Sequence, residues 1–318
     1  MRRFTTEFGL NVTVAVKFMG QQRDFEQLPN PSPGCNIYLV SRQPRITIDP
    51  RSVQFGEGFM SATATIHRGP RSEEIPILTR TEDLGCGPFR WHSEWPYDRY
   101  EIHNNDGEPI AKGIVALALL HFDMIKDTRI LAHEVIYVGQ AFGKDGERTA
   151  YDRIRSHSTL QRIYAESRPD QVIWLHFCEV GDVTLFSEID PTSSSETDDK
   201  RDDRHVSEVY QRVASGAFRD REAVALAEAG LIGYFKPAYN EKFKNTYPDP
   251  KHVHIETCYD LDFAAVTVEL QGYEVRADYY SKAGMEPSPL HFASFALRGY
   301  RGALIEIQDV PSMLWPEH

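Results

Sequence analysis

Cysteine is scarce: four residues in 318, at Cys35, Cys86, Cys178 and Cys258, with no C-x-x-C pair among them. That spacing argues against a disulfide framework or a zinc ribbon, so reduced thiols are expected. Long apolar runs are missing too. No stretch reaches the ~20 residues that a membrane span needs, and the opening MRRFTTEFGLNVTVAVKF carries polar residues where a signal peptide would be apolar. A cytoplasmic protein with no membrane partner is the expectation. Basic residues are outnumbered, 35 Lys and Arg against 47 Asp and Glu, for a net charge of −12. Nonspecific nucleic-acid binding relies on Lys and Arg neutralising phosphates, so composition alone predicts no polyanion partner. No internal repeat is evident. Hydrophobic residues make up 41% of the chain, enough at this length to fill at least one full core.

Residues 1–109 read as β-rich. NVTVAVKF, NIYLV, RITID, FMSATATIH and EIPILT are short and β-branched, and NPSPG and NNDG mark turns between them. Residues 110–245 mix β runs (GIVALALLHF, EVIYVGQ, QVIWLHFCEV) with helical ones (ERTAYDRIRSH, RHVSEVYQRVA, REAVALAEAGLIGYF), as expected of an α/β or α+β domain, and α+β is the class taken for the whole. Near 187–205 the text turns to Ser, Asp and Glu, as expected of a solvated insertion. Residues 246–318 return to strand-like runs and are expected to pack on one of the preceding regions.

Three features carry chemistry. In the helix beginning near Asp220, Val224, Ala227, Leu231 and Phe235 form an apolar stripe, and Glu228 lies on it. A carboxylate there must be protonated, ion-paired or metal-bound; a structural ion pair is the plainer reading. Gly230 and Gly233 suggest close approach of another backbone, and Lys236-Pro237 ends the helix. Second, Arg153 and His157 stand four apart and share a face if that run is helical; such a pair can meet a phosphate, although an exposed Arg/His pair is more often a solvated face. Third, in Val135-Ile136-Tyr137-Val138-Gly139 a strand period of two sets Tyr137 opposite Ile136 and Val138, with room beside Gly139; a tyrosine packed in a sheet is the plainer reading. A fourth cluster, His252, His254, Glu256 and Cys258, alternates in KHVHIETCYD. Four such residues on one strand span about 20 Å, so at most the His pair could share a zinc ion, and a polar strand face or loop is expected instead.

Taken together, the three features resemble the GIY-YIG nucleases. Tyr137-Val138-Gly139 is similar to the second signature triplet, Arg153 and His157 to the R-x-x-x-H helix, and Glu228-Ala229-Gly230-Leu231-Ile232 with Lys236-Pro237-Ala238-Tyr239-Asn240 to the family's E-x-x-L-I and K-P-x-Y-N. The resemblance covers residues 113–245 and implies a small antiparallel sheet flanked by helices. Gly113-Ile114-Val115 stands in the place of the first triplet, with Val115 where the family has tyrosine, and no tyrosine occurs between Tyr100 and Tyr137.

The resemblance implies a DNA endonuclease, of a kind used in restriction or phage defence. Glu228 would hold one Mg2+ (or Mn2+), Arg153 would clamp phosphate, Tyr137 would act on the attacking water with His157 as alternative base or as its partner, and Asn240 would position the site. Lys144, Arg148, Arg155 and Lys236, with Arg162 nearby, could contact nucleic acid despite the acidic total. A homodimer or an activating protein partner is compatible with this. The rival readings are an RNA nuclease, or an impaired domain kept as a nucleic-acid or protein-binding module because Val115 replaces the tyrosine.

Overall fold

The structure is a computed structural model and describes residues 4–26, 28, 32–121, 128–141, 150–155, 157–189, 199–218 and 221–297. In chain order it contains β1 (Thr6–Gly20), α1 (Gln22–Phe25), β2 (Ile37–Ile48), β3 (Gln54–Phe55), β4 (Phe59–Arg68), β5 (Arg71–Arg80), β6 (Arg90–His92), β7 (Arg99–His103) and β8 (Pro109–Ile114). Then come α2 (Val115–His121), β9 (His133–Gln140), α3 (Ala150–Arg155), α4 (Ser158–Glu166), β10 (Gln171–Ile189), α5 (Asp199–Ala214), α6 (Arg221–Phe235) and α7 (Val253–Asp260). The last strands are β11 (Ala265–Gln271), β12 (Tyr279–Ser281), β13 (Met285–Ser288) and β14 (Leu290–Ala296). Two compact units divide the chain: Met1–Ser41, Val135–Gln161 and Leu175–His318 form the first, Arg42–Glu134 and Arg162–Trp174 the second.

The first unit is built on a mixed sheet with strand order β13-β12-β9-β2-β10-β1-β11-β14. β1 pairs antiparallel with β10 and parallel with β11, and β14 returns antiparallel on β11. From Thr6 to Val12 every residue of β1 is buried; from Thr13 to Lys17 burial alternates, with Val14 and Val16 inside. A strand covered on both faces tolerates apolar residues at every position, and one covered on a single face needs only every second one. α6 lies on β1, β11, β14 and α7. It is buried all round, which is why nearly every residue from Ala223 to Phe235 is apolar or small. A Cβ on Gly230 would stand 2.5 Å from Val268 Cγ2, so the close neighbour there is a side chain of β11. The helix stops at Lys236, whose φ of 47° leaves the helical region just before Pro237.

In the second unit β4 pairs with β2, β3 and β5, and β6, β7 and β8 form a separate three-stranded sheet. Gly69-Pro70 turns β4 into β5 with Arg68 opposite Arg71. The Arg42 guanidinium donates two hydrogen bonds to the buried Glu134 carboxylate, at 2.7 and 2.8 Å, tying β2 to the start of β9. Trp91 stacks on Tyr100 with ring centroids 4.6 Å apart.

Several expectations are corrected. The α+β class with a small antiparallel sheet flanked by helices does not hold: strand outweighs helix, 43% to 28%, in a large mixed sheet. That sheet grows because β1, β11 and β14 extend it beyond β10, and β12 and β13 extend it beyond β9. The blocks 1–109, 110–245 and 246–318 follow chain order, whereas the two units interleave, and the 109/110 boundary falls inside β8. In GIVALALLHF the strand ends at Ile114 and helix α2 follows; its Ala and Leu residues favour helix. KHVHIETCYD forms helix α7, so its alternating residues do not share a strand face: Cys258 is buried while Glu256 is exposed. Of the polar insertion, residues 190–198 lie outside the described residues and Asp199 onward is α5. The tail packs on both earlier regions, through β11 on β1 and β12 on β9. No helix among the described residues is long and apolar enough to cross a membrane.

Candidate active site

The site lies in the first unit, where β9 and β2 are neighbours in the sheet. β9 carries Tyr137 between the buried Ile136 and Val138, and β2 carries the buried Tyr38. The tyrosine rings are 6.0 Å apart, centroid to centroid. The Tyr38 and Tyr137 hydroxyls are hydrogen-bonded to each other. Burial dominates both and raises both phenols above the ordinary range. Gly139 makes this packing possible: a Cβ there would lie 2.5 Å from both Cζ and the hydroxyl oxygen of Tyr38.

Arg153 is exposed on α3, and its charge lowers both phenols and the Glu228 carboxyl. α3 ends at Arg155, however, so Arg153 and His157 do not share one helix face as the four-residue spacing predicts. His157 instead begins the next helix. Its carbonyl accepts from Leu160 N–H at 3.1 Å and its Nδ1 accepts from Thr159 N–H at 3.3 Å, so it caps α4. With Nδ1 used as an acceptor, the neutral ring carries its proton on Nε2. Burial, and then Arg153, lowers the His157 pKa, which keeps the ring neutral. The Tyr137 and His157 rings are 5.6 Å apart. His157 is therefore a neutral ring placed beside Tyr137.

Glu228 is the one residue from Ala223 to Gly233 that is not fully buried. Burial pushes its carboxyl up to about 7, although the Gln140 backbone N–H and side chain both donate to it and Arg153 and Lys242 pull it down. Asn240 is buried and works on β9: its Oδ1 accepts from Val138 N–H at 2.9 Å and its Nδ2 donates to Val138 O at 2.8 Å. Tyr239 N–H adds a bond to Ile136 O at 3.0 Å. Asn240 thus substitutes for a neighbouring strand at the residue after Tyr137. Asn240→Ala orphans both Val138 groups and is expected to cost about 2–4 kcal/mol in urea unfolding, with the site loosened as well.

Lys236 is exposed at the end of α6. Lys144, Arg148 and the Arg155 side chain lie outside the described residues. Val115 does not stand in for a tyrosine: it is buried at the start of α2, in the second unit. The residue beside Tyr137 is Tyr38, in Asn36-Ile37-Tyr38, a triplet legible in CNIYLV but placed before the second unit's residues in the chain. Gln140 and Lys242 are further participants that the motifs did not single out. Among the described residues no three His, Cys, Asp or Glu side chains gather to hold a metal. A cation here would have Glu228 as its protein carboxylate, with water and phosphate oxygens for the rest, a donor set that suits Mg2+. The buried Glu228 carboxyl, raised by desolvation, gains most from such a charge. No family model matches the chain, and neither does any curated protein or solved structure.

Proposed function

We propose that this protein is a divalent-metal-dependent endonuclease that hydrolyses phosphodiester bonds in DNA, acting in the cytoplasm. The observation that carries the reading is the convergence of Tyr38, Tyr137, Arg153, His157 and Glu228 in one unit, from segments far apart in the chain. These are the side-chain types that the GIY-YIG resemblance requires, carried on a sheet much larger than that family's. Tyr38 beside Tyr137 supports this reading over that of an impaired domain.

The Tyr137 hydroxyl, hydrogen-bonded to Tyr38, has further hydrogen-bonding capacity and orients the attacking water with it. Arg153 clamps the phosphate, and its charge opposes the burial that holds Tyr137 as the neutral phenol. His157 stands beside Tyr137 as a neutral imidazole. Glu228 would hold a Mg2+ ion, which would supply charge stabilisation at the scissile phosphate and the leaving oxygen. The acidic surface repels bulk polyanions, so productive cutting depends on a specific site or structure.

The test is cleavage of plasmid DNA, single-stranded DNA and RNA with Mg2+ or Mn2+. Tyr137→Phe is expected to slow cutting of DNA about 100-fold or more, and Tyr38→Phe to slow it less, because Tyr38 acts on Tyr137 rather than on the water. Preferential cutting of RNA would replace the DNA reading. No cutting of any substrate, or a Tyr137→Phe protein as fast as wild type, would overturn it.

A further inference from the structure

We infer that Gln140 is a positioning residue for Glu228 and thereby sets how tightly the site holds a divalent cation; the inference rests on the nuclease reading above. Gln140 ends β9, one residue past the Gly139 that accommodates Tyr38. It presents two donors, backbone N–H and side-chain amide, to the same carboxylate. The segment that presents them is anchored on both sides. Asn240 holds Val138 through two hydrogen bonds, and Ala141 N–H bonds to Asn36 O at 2.8 Å. Glu228 is carried on a helix whose other residues from Ala223 to Gly233 are all buried, which fixes the position of its backbone. Two donors from one residue fix the plane of the carboxylate and leave its other lone pairs for a cation.

A neutral amide suits this position. It orients the carboxylate without the competing charge of a lysine, and outer-shell partners of this kind change metal affinity by about 10–100-fold when removed.

The test reads metal binding directly. Mn2+ binding is followed by electron paramagnetic resonance, and plasmid cleavage is followed as a function of Mg2+, for wild type, Gln140→Met, Gln140→Leu and Glu228→Ala. Two Gln140 variants are used so that a folding failure in one leaves the other. Both are expected to weaken Mn2+ binding about 10-fold or more and to raise the half-saturating Mg2+ by the same factor. Unchanged Mn2+ affinity in a folded Gln140 variant, with Glu228→Ala binding lost, would overturn this inference and leave the nuclease reading standing. A Glu228→Ala protein that binds Mn2+ and cuts like wild type would overturn the reading itself, and this inference with it.

Discussion

Glu228→Gln is expected to lower metal-dependent cleavage by roughly a thousand-fold or more while leaving the metal-free protein as stable as wild type, or more so. The two halves of this result come from the same burial. α6 is covered on every side, and desolvation raises the Glu228 carboxyl to about 7 even with two donors from Gln140 and two nearby cations. A buried carboxylate is an expense to the fold, and the isosteric amide removes it without leaving a cavity. A purely structural glutamate, paired to hold α6 in place, would behave in the opposite way: the amide would lower the melting temperature and leave any activity alone. Differential scanning calorimetry in EDTA, beside a cleavage assay at saturating Mg2+, separates the two roles. Loss of stability without loss of cutting would remove Glu228 from the site.

Gly139→Ala is expected to harm both fold and function. The added methyl would lie 2.5 Å from both Cζ and the hydroxyl oxygen of Tyr38, a side chain that is fully buried. Overpacking of this kind costs about 1–3 kcal/mol. The displaced hydroxyl no longer reaches Tyr137, and misplacement on the scale of 1 Å slows cleavage about 100-fold. Tyr38→Ala supplies the control. It empties the space the methyl needs, so Gly139→Ala should cost little in that background, and the double mutant should be markedly more stable than the two single effects added together. Strict additivity in chemical denaturation would show that Gly139 is not holding room for Tyr38.

Parts of this site were legible in the sequence and parts were not. α6, its stop at Lys236-Pro237 and the strand bearing Tyr137 follow from local signals: apolar residues throughout, a proline, and β-branched residues around an aromatic. The class of the fold did not follow, because strands pair with partners chosen by the whole chain. β1 beside β11 and β12 beside β9 leave no trace in either segment. The same fact hid Tyr38. A search for its triplet near Tyr137 reaches Val115, whereas the pairing of β2 with β9 passes over residues 42–134. In KHVHIETCYD the alternation of polar residues suggested a strand, but Ile255, Cys258 and Leu261, three apart and all buried, are the pattern that decided for helix. Arg153 and His157 keep their neighbourhood but not their common helix, since spacing cannot show that α3 ends at Arg155 and His157 caps the next one.

The order of the segments along the chain also governs when the site can exist. During synthesis Tyr38 leaves the ribosome first and must wait for Tyr137, with the whole of residues 42–134 in between, and then for Glu228 and Asn240. β1, at the very start, obtains its parallel partner only when Ala265–Gln271 has emerged. Closing so long a loop is cheap in free energy, since doubling its length adds only about 0.6 kcal/mol, but pairings this distant form slowly. A growing chain therefore holds residues 42–134 long before it holds Glu228, and no fragment that ends short of residue 228 contains the carboxylate of the proposed site.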